Sequence, residues 1–331
     1  MKTFTINLTN GKAFLTGFIH AQSKEMPNVD TRPAVLVFPG GGYMMCSDRE
    51  ADPVALAYLA EGYNTFVLRY SVGLNTPASQ SFSDAEEAIA YLHEHADELN
   101  IDKGKIVVIG FSAGGHLAAW VSVFGKIKPA AAILGYACTL AEIGRLMGKE
   151  LPDLCGNVDR ETPPTFIFAT RNDAVVPVKH SLKYADALDR ANVGFELHIY
   201  GDGAHAMSLG KPFTASGKAN LVSADIAQWF GLSLNWLKTV IGDFEVQETP
   251  EQTYDDVLDC GAPLGLLMSN ESIRPLVLEH LPLITEIMKQ AAESGQSEII
   301  NAASIRQLAR LRPELLAEEK VNELDERLKS V

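Results

Sequence analysis

Gly110-Phe111-Ser112-Ala113-Gly114 stands where the chain changes period, directly after the apolar run 105–109 and directly before a helical run. Few local sequences constrain a fold so tightly. A serine in a tight turn between strand and helix takes up strained backbone angles. A glycine two residues to either side removes the Cβ atoms that would collide as strand, turn and helix converge. The bare pattern carries limited weight in a chain with 26 Gly among 331 residues, and the strand-turn-helix setting gives it force. So placed, Ser112 projects above a sheet as a candidate nucleophile. It also opens a helix, whose free amides and dipole favour negative charge developing nearby.

The surrounding pattern supplies that sheet. Short β-branched runs alternate with longer helical stretches from residue 3 to about 241, the signature of a mostly parallel sheet wrapped by helices. Runs 3–8 and 13–19 read as an opening hairpin turning at Asn10-Gly11. Runs 34–38, 64–69, 105–109, 130–134, 165–169 and 195–200 then predict eight strands in all, two antiparallel and six parallel. Helices are predicted over 50–61, 83–99, 113–124, 178–191 and 223–240. In the second, Ala85, Ala88, Ile89, Leu92 and Ala96 recur at three- and four-residue steps behind a helix-starting Ser83-Asp84, so one face is built to pack on a sheet. Past Gly242 the texture changes: 244–253 is polar and proline-bearing, and the remainder is rich in Leu, Glu and Ala without a strand pattern. A catalytic domain over 1–244 and a small all-helical domain over 245–331 follow. The tail helices are read at 272–279, 281–294, 303–311 and 313–328, with leucine stripes that suit core contacts.

Three further features fall where a serine nucleophile needs partners. Phe38-Pro39-Gly40-Gly41-Gly42-Tyr43 ends a strand run, and its glycines can turn backbone N–H groups into a cavity. With the Ala113 amide, N–H groups of this loop would bind an oxyanion. The loop lacks the Gly-Lys-Ser/Thr ending and the glycine spacing of phosphate loops. Asp173 lies where run 165–169 opens into the polar loop Arg171-Asn172-Asp173, and suits the acid that orients a histidine. His205, in Gly203-Ala204-His205, follows the last strand run, and flanking glycines let its loop fold back over the nucleophile. The order Ser112, Asp173, His205 fits one known arrangement of the triad. His116, on the helix of Ser112, suits structural support, while His180 lies in a helix, His198 in a strand, and Asp202 too near His205 in sequence to reach its ring. Tyr43, Met44 and Met45 are placed to border a substrate pocket.

Composition narrows the partners. With 28 Lys+Arg against 42 Asp+Glu, a formal charge of −14 repels phosphate backbones and anionic lipid heads, so neither nucleic acid nor membrane is expected. No apolar run reaches the roughly 18 residues of a membrane span, and the first residues lack an apolar signal core, giving the expectation of a cytoplasmic protein. Cys46, Cys138, Cys155 and Cys260 are widely spaced, with no metal-like pattern, and read as reduced structural thiols.

Taken together, these motifs resemble the bacterial acetyl esterase/lipase group of α/β-hydrolases, related to hormone-sensitive-lipase-like and acetylxylan esterases. The resemblance spans about 34–242. It rests on Pro39-Gly40-Gly41-Gly42-Tyr43, Val67-Leu68-Arg69-Tyr70, Asp84 with Ala88 and Leu92, Gly110 to His116, Asp173-Ala174-Val175-Val176-Pro177 and Gly203-Ala204-His205. It implies an α/β-hydrolase fold and a serine carboxylesterase acting on small-molecule or oligosaccharide esters, acetylated sugars among them, with neither metal nor organic cofactor. Relatives often begin the glycine loop with histidine, where this chain has Pro39, and by position the resemblance gives the oxyanion role to the amides of Gly41 and Gly42. Residues 138–157 can form only a small cover over the site, which favours short acyl groups on a bulky or polar alcohol. A serine peptidase of the prolyl-oligopeptidase type shares the fold and triad order, although it usually carries a large preceding domain. A non-catalytic binding module on the same fold is the third reading. The helical tail lies outside the resemblance, and site covering and homo-oligomer formation are both open to it.

Overall fold

The apolar run before Ser112 becomes the central strand of an eight-stranded sheet. The computed structural model describes residues 1–246 and 258–329. Its strands are β1 (Lys2–Asn7), β2 (Phe14–Ile19), β3 (Arg32–Phe38), β4 (Asn64–Arg69), β5 (Ile101–Phe111), β6 (Ala131–Gly135), β7 (Thr165–Thr170) and β8 (Phe195–Tyr200), in the spatial order β1-β2-β4-β3-β5-β6-β7-β8. β2 pairs antiparallel with both β1 and β4, and every other ladder is parallel. The expectation of two antiparallel strands is therefore corrected. β2 alone runs against the rest, and β1 returns to the common direction across the Asn10-Gly11 turn.

Strand pleating divides the apolar residues between two faces. Ala34, Leu36, Phe38, Ile106 and Val108 join one core with Ala85, Ala88, Leu117, Tyr184 and Leu188. The alternate Val35, Val37, Val107, Ile109 and Phe111 join the other with Val54, Tyr58, Trp229 and Trp236. The first face is thus covered by α2 (Ala78–Glu94), α3 (Ala113–Phe124) and α5 (Lys179–Arg190), the second by α1 (Asp52–Ala60) and α6 (Ala224–Ile241). A one-turn helix, α4 (Gly144–Met147), stands in the connection from β6 to β7.

The sequence misplaced one helix start. α2 begins at Ala78, behind Pro77, rather than at Ser83. The pair Ser83-Asp84 has the chemistry of a cap, but Asp84 is buried. Its carboxylate accepts the Ser71 N–H at 2.7 Å and the Asn10 side-chain amide, tying the hairpin turn to the end of β4. A tertiary partner has overridden a local capping signal.

The chain divides into two compact units, Met1–Val246 and Gln247–Val331. Residues 247–253 of the linker read from sequence lie outside the described residues. The second unit has its own core, built from Cys260, Leu264, Leu267, Val277, Ile284, Ile305, Leu308 and Leu324. Its helices are α7 (Leu264–Ser269), α8 (Ile273–His280), α9 (Ile284–Glu293), α10 (Ser297–Ala302), α11 (Ile305–Leu311) and α12 (Glu318–Leu328). α7 and α10 escaped the sequence reading because six residues give too little periodicity to detect. Arg306 and the Cys260 N–H both bond the carboxylate of Asp325, at 2.6 and 2.9 Å. No helix among the described residues is long and apolar enough to cross a membrane.

Candidate active site

Ser112 has φ 52° and ψ −116°, the strained turn that its flanking glycines permit. A Cβ on Gly110 would lie 2.1 Å from the Gly114 carbonyl oxygen, and one on Gly114 2.0 Å from that of Phe38. Strand, turn and helix therefore approach one another at backbone distance, and only glycine fits at both places. The turn is further pinned by the Ser112 N–H donating to Gly135 O at 3.0 Å.

The two predicted partners come to this serine. Ser112 Oγ lies 2.9 Å from His205 Nε2, and His205 Nδ1 lies 2.7 Å from Asp173 Oδ2. Asp173 is held by its other oxygen, which accepts the N–H groups of Val175 and Val176 at 2.8 and 2.9 Å. Burial pushes the Asp173 carboxyl up, yet bonds from His205 and these two amides outweigh it and keep the group below its ordinary value. An ionised Asp173 stabilises an imidazolium at His205 and fixes the ring so that Nε2 faces the serine. The arrangement can transfer the Ser112 proton to His205 as the oxygen attacks an electrophile.

The glycine loop completes the geometry. Gly41 has φ 132° and Gly42 φ 62°, and a Cβ on Gly41 would strike Met45 O at 2.1 Å. Among the described residues, no protein acceptor takes the N–H of Gly41, Gly42 or Ala113. The Ala113 amide is free because it opens α3.

The other histidines have different work. His180 Nδ1 accepts the Thr139 and Leu140 amides at 3.0 and 3.2 Å, and His198 pairs with Glu196 at 2.6 Å. Asp202 accepts from the Asn172 amide, whose oxygen in turn takes the Gly203 N–H at 2.9 Å, so it shapes the histidine loop instead of touching the ring. Burial pushes the Cys46 and Cys138 thiols up to about 12, leaving both protonated beside the site.

The pocket residues need correction. Beside Ser112 lies a cavity of about 410 Å³, bordered by Gly41, Gly42 and the apolar side chains of Met45, Ile143, Leu146, Met147, Val175 and Val176. Neither Tyr43 nor Met44 borders it. Met44 is 45% exposed in a turn whose N–H bonds return to Gly41 O. Tyr43, at φ 59°, is turned inward and buried, with its hydroxyl 2.8 Å from His116 Nδ1. Among the described residues the opposite, buried nitrogen of His116 has no hydrogen-bond partner, and burial lowers the ring's pKa to about 3, so the ring is neutral. Tyr43→Phe is expected to leave both ring nitrogens unbonded, at a cost of about 1–3 kcal/mol. Thermal denaturation should register that loss, while KM for a small ester stays unchanged; a raised KM would return Tyr43 to the pocket.

Sequence reasoning missed Arg49 and Glu50. Glu50 is buried, and its carboxylate accepts Gly40 N–H at 2.9 Å and the Tyr136 hydroxyl at 2.6 Å. Burial raises its pKa against the pull of these two bonds. Tyr136 Oη accepts the Ser208 N–H at 2.9 Å, and the Tyr136 ring packs 5.1 Å from that of His205. Arg49 Nη1 donates to Ala206 O and Thr214 O at 2.9 and 3.0 Å. Two adjacent residues thus tie the glycine loop to the histidine loop. Tyr43, Ser112, Tyr136, Ala206 and Ser208 all have positive φ, so backbone strain gathers around the site.

The chain is similar to several known proteins. Residues 23–134 match the BD-FAE family model, and residues 154–236 that of the prolyl oligopeptidase family. A solved α/β-hydrolase enzyme from a Medee basin deep-sea metagenome library, MGS-M1, is 42% identical, with a TM-score of 0.69 covering 73% of this chain and 98% of that one. Endo-1,4-beta-xylanase B of Butyrivibrio fibrisolvens is 31% identical over 61% of this chain and 36% of its own length. An acetylxylan esterase of Xylanibacter ruminicola is 28% identical over 72% of this chain and 51% of its own. The chain thus spans about half or less of these two curated relatives.

Proposed function

Because the chain belongs to the α/β-hydrolases, we propose that it is a serine carboxylesterase that removes short, acetyl-like acyl groups from polar alcohols, sugars among them, by way of an acyl-enzyme on Ser112. The observation that carries this reading is the hydrogen-bonded line from Ser112 Oγ through His205 to Asp173, at 2.9 and 2.7 Å. Ser112 attacks the ester carbonyl as His205 takes its proton, and the amides of Gly41, Gly42 and Ala113 receive the oxyanion. The tetrahedral intermediate collapses, His205 returns the proton to the departing alcohol, and Ser112 keeps the acyl group. Water then attacks, activated by the same histidine, and the acid is released.

The preference for short acyl groups is supported by the wall of the cavity. Leu146 is 83% exposed, Met45 57% and Val175 55%, so a long chain laid along them would stay half in water and gain little by burial. The acetylxylan esterase relative supports an acetyl group on a sugar. Across p-nitrophenyl esters from acetyl to octanoyl, kcat/KM should be highest at the short end; a steady rise toward octanoyl would contradict the reading.

A serine peptidase is the second reading, favoured by the prolyl oligopeptidase match, because the matched stretch carries Asp173 and His205. An aminoacyl-proline anilide distinguishes the two. Amide cleavage without ester turnover would make the peptidase the correct one.

A further inference from the structure

The chemistry of the triad divides the space around it. At the tetrahedral carbon four bonds point to Ser112 Oγ, the oxyanion, the acyl chain and the leaving oxygen. The backbone amides fix the oxyanion. The leaving oxygen must lie within reach of His205 Nε2, the atom that reprotonates it. The alcohol beyond it therefore continues past the histidine, away from the glycine loop.

The groove next to His205 has a volume of about 800 Å³. It borders His205 but neither Ser112 nor Gly41 and Gly42, and it carries Arg49, Asn172, Asp202, Lys218 and Asn220. It adjoins the apolar cavity, sharing Arg49, Val175, His205 and Ala206 with it. Apolar side chains dominate the Ser112 side, whereas the His205 side adds amides and charges to an apolar lining of Val175, Met207, Leu221 and Val222.

Resting on the esterase reading above, we propose that this groove is the subsite for the leaving alcohol, and that it takes a neutral, polyhydroxylated alcohol held by Lys218 and Asn220. Among the described residues, the side chains of Lys218 and Asn220 have no hydrogen-bond or ion-pair partner, although both face the groove. Asp202 gives one oxygen to Asn172 and keeps the other. The groove thus offers donors and acceptors together, the mixture that hydroxyl groups, each donor and acceptor, can satisfy. Its charges argue for a neutral ligand, since Asp202 opposes an anion and Arg49 with Lys218 opposes a cation. Acetylated sugars present this chemistry on the correct side of the ester.

The test compares the native chain with the double variant Lys218→Ala, Asn220→Ala on two substrates, an acetylated xylo-oligosaccharide and p-nitrophenyl acetate. Both positions are exposed, so the fold should survive. The ratio of kcat/KM for the sugar ester to that for p-nitrophenyl acetate is expected to fall about tenfold, with the change in KM, as for lost ground-state binding. An unchanged ratio overturns the subsite. Native turnover of p-nitrophenyl acetate with none of the sugar ester overturns the polyol as ligand and leaves the esterase reading standing. Turnover of neither ester overturns the esterase reading and the subsite with it.

Discussion

Ser112→Ala is expected to lower kcat for p-nitrophenyl acetate by on the order of 10⁵-fold or more, the scale of nucleophile removal in serine hydrolases. The variant loses the atom that forms the acyl-enzyme and little else. The serine hydroxyl bonds His205 Nε2 and the Cys138 thiol, and alanine keeps the Cβ that the turn already accommodates at φ 52°. The unfolding temperature should therefore stay close to the native value, and the free amides of the glycine loop should still bind an oxyanion. Kinetic assay beside thermal denaturation checks both halves. Full hydrolysis by the variant would remove Ser112 from the mechanism.

Asp173→Asn should cost roughly 10³–10⁴ in kcat, through the histidine tautomer. Oδ1 of Asp173 receives two backbone N–H groups, so an asparagine must place its oxygen there. Its NH₂ then faces His205 Nδ1, which must accept, and the ring proton moves to Nε2. The nitrogen that should take the serine proton already carries one. The native carboxylate also stabilises the fold: its lowered pKa means a contribution present above the ordinary Asp range and lost as pH falls through the folded value. The native chain should lose more stability on that acid limb than the asparagine variant, which keeps only the share of the other carboxylates, and denaturant titration across pH measures the difference. A small loss of kcat would show that Asp173 does not set the tautomer.

The elbow was legible because its constraints are local. Two glycines and a change of hydrophobic period within ten residues report the strand, the turn and the helix at once. Asp173 and His205 were legible by position, each in the polar loop that follows a strand. Arg49 and Glu50 were not, because their partners Tyr136, Ala206 and Ser208 are far away in sequence and no spacing announces them. Tyr43 misled for the opposite reason. Its place beside the glycines suggested a pocket wall, while the loop's left-handed turn sends the ring inward to His116. Asp84 shows the same competition in a helix, where a buried carboxylate serves Ser71 and Asn10 and leaves the helix to start at Ala78.

The most direct test of the acyl-enzyme account is stoichiometric trapping with diethyl p-nitrophenyl phosphate, followed by intact-mass measurement and peptide mapping. The account predicts one phosphoryl adduct per native chain, on Ser112, with esterase activity lost in proportion, and none in His205→Ala over the same time. An adduct on another residue, or undiminished esterase activity in a fully labelled chain, would contradict it.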